Sequence, residues 1–272
     1  MNGKVYLVGA GPGDPELLTL RALRVLREAD LLLHDDLVPP AILNLATPGV
    51  ETVNVGKRCG RESAIQEAIN ARMVAGARQG LTVVRLKGGD PSVFARGGEE
   101  IEALRLAEVE FEIVPGVTAA SAASAAAGIS LTQRRIASRV VFLTGHSAAG
   151  QDRYQDEWSS LGLKGGLDTT LVVYMPGPDY TRLQGRLLGA GIHGETPCLL
   201  VSALSTGASR SHRTSVGQLA SSPPMLTATI LIVGDVVRLA GSSHGPSPSL
   251  PWRMLAQPAV ADQIDLEPQG LS

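Results

Sequence analysis

From Lys87 to Glu100 the chain runs Lys-Gly-Gly-Asp-Pro-Ser-Val-Phe-Ala-Arg-Gly-Gly-Glu-Glu, so two glycine pairs flank Asp90 and Arg96 in one short stretch. Glycine lets a backbone approach a ligand closely and take angles that other residues resist. The stretch follows Val83-Val84-Arg85-Leu86, a strand pattern, and open α/β sheets bind ligands at the C-terminal ends of their strands. Gly88, Gly89 and Asp90 therefore form a candidate ligand turn. Arg96 and Glu99 fall one helical turn apart. In the plainest alternative they are an exposed i,i+3 ion pair on a short helix between two turns.

A second glycine turn, Gly9-Ala10-Gly11-Pro12-Gly13, follows the strand pattern Val5-Tyr6-Leu7-Val8. It invites a dinucleotide reading, but the position that should hold the third glycine is Asp14. Pyrophosphate sits on free N–H groups at a helix N-terminus, whereas Pro12 removes one donor and Asp14 puts negative charge in the phosphate's place. Asp35-Asp36 at the end of the next strand resembles a ribose-binding acid but does not rescue that reading. A neutral or cationic ligand suits the turn better, and a strand-to-helix connection with no ligand is its plain alternative. The few histidines are scattered, and Cys59 and Cys198 fit no metal or redox spacing, so no metal is expected.

The elements that must hold these turns alternate between short β runs and helical segments, which predicts an α/β fold with largely parallel sheets. Asp14 with Pro15 reads as the start of a helix that ends near Ala29, with Leu17, Leu20, Leu23 and Leu26 on its buried face. Leu31-Leu32-Leu33 is a strand, and Ser63-Ala64-Ile65-Gln66 reads as a capping box for a helix stopping at Gly80. A further helix is expected from Gly97 to Ala107, and Phe111 to Val114 is a strand closed by Pro115-Gly116. A second series follows: a small-residue helix from Ala119, strands at 140–143 and 171–174, a helix at 179–190, and strands at 198–201 and 229–233. Residues 148–167 read as a loop or insertion. The expected organisation is an N-terminal domain over 1–115, a C-terminal domain over 116–242, and a disordered tail over 243–272 rich in Ser, Pro and Gly.

A net charge of −2 over 272 residues gives no global pull toward nucleic acid or anionic membrane, so an anionic ligand must be met by local basic groups. No apolar stretch approaches the length needed to cross a bilayer, and Met1-Asn2-Gly3-Lys4-Val5 shows no secretory pattern, so a cytoplasmic protein in a reducing compartment is expected.

Many of these segments, taken in order, resemble the tetrapyrrole methylases. The likeness runs from Val5 to about Leu239: the stretch Val5 to Ala22, Arg85 to Glu100, Pro115 to Ala120, Gly128 to Arg134, Thr144-Gly145-His146, Tyr174-Met175, Thr196-Pro197 and Val233 to Val237. Val55-Gly56-Lys57-Arg58, with Ser63, Gln66 and Ile69-Asn70, resembles the branch of that family that acts on uroporphyrinogen III. The departures are His34 where the family has Tyr, Glu62 for His, Ser92 for Phe, Ala95 for Gly, Gln133 for His, and the atypical Ser202-Ala203-Leu204.

The resemblance implies a two-domain α/β fold, each domain a mainly parallel sheet with flanking helices, acting as a homodimer with its active site in the cleft between domains. It implies methylation of uroporphyrinogen III at C2 and C7 with S-adenosylmethionine, giving precorrin-2 and S-adenosylhomocysteine. The cofactor pocket would involve Pro12, Gly88, Gly89, Asp90, Val93, Thr118, Ala119, Met175, Ala203 and Thr229. Such a reaction needs a proton acceptor once the ring carbon has been attacked, and Glu99 is the candidate. Arg96 is marked catalytic by the resemblance, but a guanidinium with a pKa above about 12 is a poor base at neutral pH, so its part is to grip a carboxylate or steady developing charge. Arg58, Arg134 and His146 are the candidate substrate contacts, with Arg61, Arg135 and Arg139 as further clamps for the substrate's acid arms.

Three other readings compete. A sibling methylase acting elsewhere on a precorrin intermediate is opposed by the Lys57-Arg58 and Ser63-to-Asn70 elements. A nicotinamide-dependent oxidoreductase is opposed by Pro12 and Asp14, and a non-catalytic sensor of the cofactor or a tetrapyrrole by the intact Arg96 and Glu99.

Overall fold

The computed structural model describes residues 3–56, 62–145, 158, 168–204, 209–225 and 228–240, without the side chains of 62–65. The expected tail at 243–272, together with Arg58, Cys59, Arg61 and His146, lies outside the described residues.

The first sheet is all parallel, with order β3-β2-β4-β1-β5. Its strands are β1 (Lys4–Gly9), β2 (Leu31–His34), β3 (Glu51–Asn54), β4 (Thr82–Lys87) and β5 (Phe111–Val114). Side chains alternate across a strand, so a parallel strand covered on both faces reads as a continuous apolar run. On one face Val8, Val84, Leu86 and Leu32 pack on Ala22, Val25 and Leu26 of α1 (Leu20–Arg27) and on Ile42 of α2 (Pro40–Leu43). On the other, Val5, Leu7, Leu31, Leu33 and Val83 pack on Ile69, Met73 and Ala77 of α3 (Glu62–Arg78) and on Leu104 of α4 (Gly97–Leu106). Each such aliphatic side chain, fully buried, contributes about 1.5–3 kcal/mol.

The start of α1 differs from expectation. Asp14 does cap a turn, its Oδ1 accepting from Glu16 N at 2.9 Å, but that turn is a 3-10 segment, Pro15–Leu17. The α-helix begins at Leu20 behind a second cap, Thr19, whose Oγ1 accepts from Ala22 N at 3.1 Å. The phase of the helix therefore shifts: Leu20 is 86% exposed, and Ala22, Val25 and Leu26 are the buried face. In α3 the helix already includes Glu62, so Ser63 stands inside it rather than at its cap.

The second sheet, β6-β7-β10-β8-β9, corrects the expectation of a mainly parallel arrangement. Only β6 (Arg139–Thr144) and β7 (Thr169–Tyr174) pair parallel; β10 (Thr229–Val233) runs antiparallel to both β7 and β8 (Pro197–Ser202), and β9 (Arg210–Ser215) antiparallel to β8. The physical reason is connection length. Residues 203–209 join β8 to β9, too short for the dozen or so residues that a parallel crossover needs, so the chain turns back on itself. The inserted β10 then separates β7 from β8. One face of this sheet is covered by α5 (Ala119–Ala126) and the segment Asp235–Leu239, the other by α6 (Tyr180–Gly189) and Val216–Ser221. Trp158, in the segment expected to be a loop or insertion, is buried in that second core, and the Arg186 guanidinium lies 4.0 Å from its ring centroid.

Candidate functional site

The two glycine turns meet just beyond the strand ends of the first sheet. Gly89 N donates to Gly11 O at 2.7 Å and Gly11 N to Gly89 O at 3.1 Å, an antiparallel bridge that continues the β1–β4 contact after the strands finish. Both glycines take left-handed backbone, φ +67° at Gly11 and +71° at Gly89. The loop after β5 closes on the same point: a Cβ on Gly116 would lie 2.3 Å from Gly89 O and 2.8 Å from Gly9 Cα. Three backbones thus touch where only glycine fits. On its other side Gly89 faces space, since a Cβ there would meet nothing nearer than Ala119 N at 3.9 Å.

Asp90 fixes this junction. Its Oδ2 accepts from Gly116 N at 3.0 Å, and its Oδ1 accepts from Ser92 N at 2.8 Å and from the Ser92 hydroxyl. A carboxylate has about four acceptor sites, so after these bonds it keeps capacity for a ligand donor. Pro12 follows Gly11 at the half-buried mouth of the turn.

The second sheet brings its expected residues to one end. Tyr174 pairs with Ile230 and Ser202 with Thr229, so Met175, Ala203 and Thr229 come together where β7 and β8 finish and β10 begins. Gly145 joins them, its N–H donating to Tyr174 O at 2.8 Å, which leaves the expected contact His146 as the next residue of the chain. Val93, between the glycine pairs, packs against the core of this second sheet. The Tyr174 hydroxyl lies 2.6 Å from Thr118 Oγ1 and accepts from Ala120 N, so it caps α5 where the Thr118 side chain does not. Burial pushes the Tyr174 phenol above its ordinary pKa, against the opposing pull of the bonds to Thr118 and Ala120.

Backbone strain is concentrated here. Phe94, Arg96, Met175 and Ala203 all have φ between +48° and +57°. A non-glycine residue in that region costs on the order of 1–3 kcal/mol and is kept where surrounding structure over-determines it, most often at functional sites. Phe94 was not among the expected residues; its ring lies 4.9 Å from that of Tyr174, and Phe142 lies 5.5 Å away on the same ring.

Arg96 and Glu99 pair in two-pronged fashion, Nε to Oε1 at 2.6 Å and Nη2 to Oε2 at 2.5 Å, with Arg96 as the residue before α4 and Glu99 in its first turn. The i,i+3 ion pair is therefore real, and it stands at the surface. Arg134 is exposed in the turn closed by the Gln133–Ala137 bridge, before the start of β6, and makes no ion pair among the described residues. Arg135 is exposed beside it with φ +67°. Arg139 is spent on Asp168, which lowers its use as a free clamp; the Arg139 bond in turn holds the Asp168 carboxyl below the usual range.

Behind the first glycine turn lies a buried charged cluster that sequence reasoning missed. Glu100 Oε1 accepts from Arg85 Nε at 2.9 Å and Gln66 Nε2 at 3.3 Å, and Lys87 Nζ lies 2.8 Å from each carboxylate oxygen. Arg85 also holds Asp35. Burial, then the Arg85 charge, lowers the Lys87 ammonium pKa below its ordinary value, while Glu100 pulls it up. Removing one partner from such a buried pair costs about 3–5 kcal/mol. The available signal was two cations at alternate positions of an otherwise apolar strand, which must meet buried anions.

Among the described residues no cluster of three or more His, Cys, Asp or Glu could hold a metal ion, and no helix is long and apolar enough to cross a membrane.

Residues 4–220 match the family model of the tetrapyrrole (corrin/porphyrin) methylases. The chain is 44% identical over 241 residues to the uroporphyrinogen-III C-methyltransferase of Pseudomonas aeruginosa PAO1, covering 88% of this chain and 96% of that protein. It is 45% identical over 240 residues to the sirohaem synthase of Stutzerimonas stutzeri A1501, covering 87% of this chain and 50% of that protein; the chain spans about half the length of the sirohaem synthases it matches. Its backbone is similar to the crystal structure of uroporphyrin-III C-methyltransferase from Thermus thermophilus complexed with S-adenosylhomocysteine, at TM-score 0.73 and 37% identity, covering 87% of this chain and all of that one.

Proposed function

The chain belongs to the tetrapyrrole methylase family, and from that premise we propose that it moves methyl groups from S-adenosylmethionine to C2 and C7 of uroporphyrinogen III, giving precorrin-2 and S-adenosylhomocysteine. It does so in the cytoplasm, as a homodimer, in the supply of sirohaem- or cobalamin-type tetrapyrroles. Its two working units are residues 1–115 and 116–242, meeting at Pro115-Gly116.

The residues present fit such a cofactor. The open side of Gly89, where a Cβ would have nothing nearer than 3.9 Å, and the left-handed backbone at Met175 and Ala203 suit a cradle for a ribose and an amino-acid end. Pro12, Gly88, Asp90, Val93, Thr118, Ala119 and Thr229 form the rest of that wall. When bound, the sulfonium supplies an electrophilic methyl group. The chain's own work is to hold reacting atoms in line, which replaces a bimolecular encounter with an oriented one. Glu99 accepts the proton that leaves the ring after carbon attack. Arg96, already forked onto a carboxylate, is shaped to take one of the substrate's acid arms instead, which releases Glu99 to act as base. Arg134, Arg58 and His146 hold further arms, and no metal takes part.

The observation that carries this reading is the two-pronged Arg96–Glu99 pair at the start of α4, where a Cβ on Gly97 would lie 2.2 Å from the O of Pro91, the residue after the Gly88–Asp90 turn. The experiment is incubation of purified protein with uroporphyrinogen III and methyl-labelled S-adenosylmethionine. A product heavier by two methyl groups is expected. No incorporation, or transfer only to a later precorrin, overturns the assignment.

A further inference from the structure

Glu100 holds a place that the chemistry above does not use. It is fully buried, yet it follows Glu99 directly in the chain, and its partner Lys87 directly precedes Gly88. Arg85 and Lys87 alternate on β4 and so project from one face of the sheet, the face covered by α3 and α4. Neighbouring helical residues point about 100° apart, so a carboxylate locked at Glu100 sets the direction in which Glu99 leaves α4.

An ionic hub is a poor way to gain stability, because apolar residues of similar size in its place are often neutral or better. What it offers is direction. Apolar packing tolerates small slides, whereas one carboxylate held by Arg85, Lys87 and Gln66 has a single low-energy position. The two cations Arg85 and Lys87 are matched by the two anions Glu100 and Asp35, so the cluster is neutral as a whole.

We propose that Glu100 is a positioning residue that locks the first turn of α4 onto the end of β4, holding the Arg96–Glu99 pair in one geometry against the Gly88–Asp90 turn. The proposal rests on the reading of Glu99 as proton acceptor. The turn itself is tied separately, by the Gly11–Gly89 bridge and the Asp90–Gly116 bond. Loss of Glu100 should therefore disturb turnover more than cofactor binding.

The test uses the full chain, with methyl transfer to uroporphyrinogen III as one readout and calorimetric binding of S-adenosylhomocysteine as the other. Glu100→Gln is expected to lower kcat about 10- to 100-fold, since a displacement near 1 Å can cost about 100-fold, with KM and S-adenosylhomocysteine affinity within about threefold of wild type. Should Glu100→Gln fail to fold, Glu100→Asp decides. It keeps the charge that balances Arg85 and Lys87 but withdraws the carboxylate by about 1.5 Å, and should show the same split between kcat and binding. Normal kcat in the folded variant, or a loss shared equally by kcat and affinity, overturns the positioning role. Absence of turnover in the wild type would overturn the functional reading and this proposal with it.

Discussion

The hydroxyl of Tyr174 stands 2.6 Å from Oγ1 of Thr118 and takes the N–H of Ala120, so one phenol at the end of β7 closes the first turn of α5. The same ring touches Phe94 in the glycine-rich stretch and Phe142 on β6. It is therefore a joint between segments that lie far apart in the chain, and those segments carry the expected cofactor contacts Val93, Thr118, Ala119 and Met175.

Tyr174→Phe separates the two functions of that joint. The ring contacts remain, while the Ala120 N–H and the Thr118 hydroxyl lose their partner. A stability loss of about 1–3 kcal/mol is expected for polar groups left unpaired, with a weaker affinity for S-adenosylhomocysteine. Urea denaturation and calorimetric titration measure the two effects. Wild-type values for both would mean that the hydroxyl ties nothing.

Glu99→Gln probes the base. The amide keeps the size of the side chain and can still meet Arg96, but it cannot accept a proton. Turnover should fall by about 100-fold or more, the upper part of what a positioned acid or base supplies, while S-adenosylhomocysteine binds within a few fold of wild type. Single-turnover methyl transfer reads the chemical step directly, and a near-normal rate would remove Glu99 from the chemistry.

What the sequence made legible follows from which forces are local. The residue pattern places β5 and β10 to the residue, at 111–114 and 229–233, because each is a short run rich in aromatic and branched apolar residues between clear breaks. β3, Glu-Thr-Val-Asn, and β9, Arg-Ser-His-Arg-Thr-Ser, are edge strands whose polar residues face water, so no apolar period announces them. Strand direction in the second sheet was not legible either, since a buried apolar strand has the same composition whichever way its neighbour runs. In the site, the Gly88–Asp90 turn and the Arg96–Glu99 spacing are written in adjacent residues. The roles of Tyr174 and Glu100 are not, because their partners Thr118 and Arg85 are chosen by tertiary packing across 56 and 15 positions of sequence.

Two similar glycine substitutions, one in the junction and one outside it, are expected to have opposite outcomes. Gly116→Ala would place a methyl 2.3 Å from Gly89 O, against backbone that cannot swing aside, so the three loops must separate. A loss of more than about 3 kcal/mol and of S-adenosylhomocysteine binding is expected. Gly98→Ala, in the first turn of α4, would meet nothing within 4 Å and relieves the glycine penalty in a helix, for a gain of about 0.5–1 kcal/mol. Thermal melts of both variants, with titration of the first, check the contrast. Normal binding by Gly116→Ala would show that the junction is not the floor of the cradle.

Cys198 gives the alkaline limit of the second sheet. It sits in β8 opposite Val233, fully buried in the core, where burial pushes its thiol from 9.0 up to about 12. In the unfolded chain the thiol ionises from its ordinary value, so above pH 9.0 the folded state binds more protons than the unfolded one. Stability contributed by the neutral thiol is then fully present below pH 9.0 and is lost as pH rises toward about 12, with a limiting slope of about 1.4 kcal/mol per pH unit. Cys198→Val keeps a small apolar side chain and removes the titration. Urea unfolding of both proteins at successive pH values above 9.0 should show a steeper decline for wild type than for the variant. Parallel curves would mean that the buried thiol is not what sets the alkaline slope.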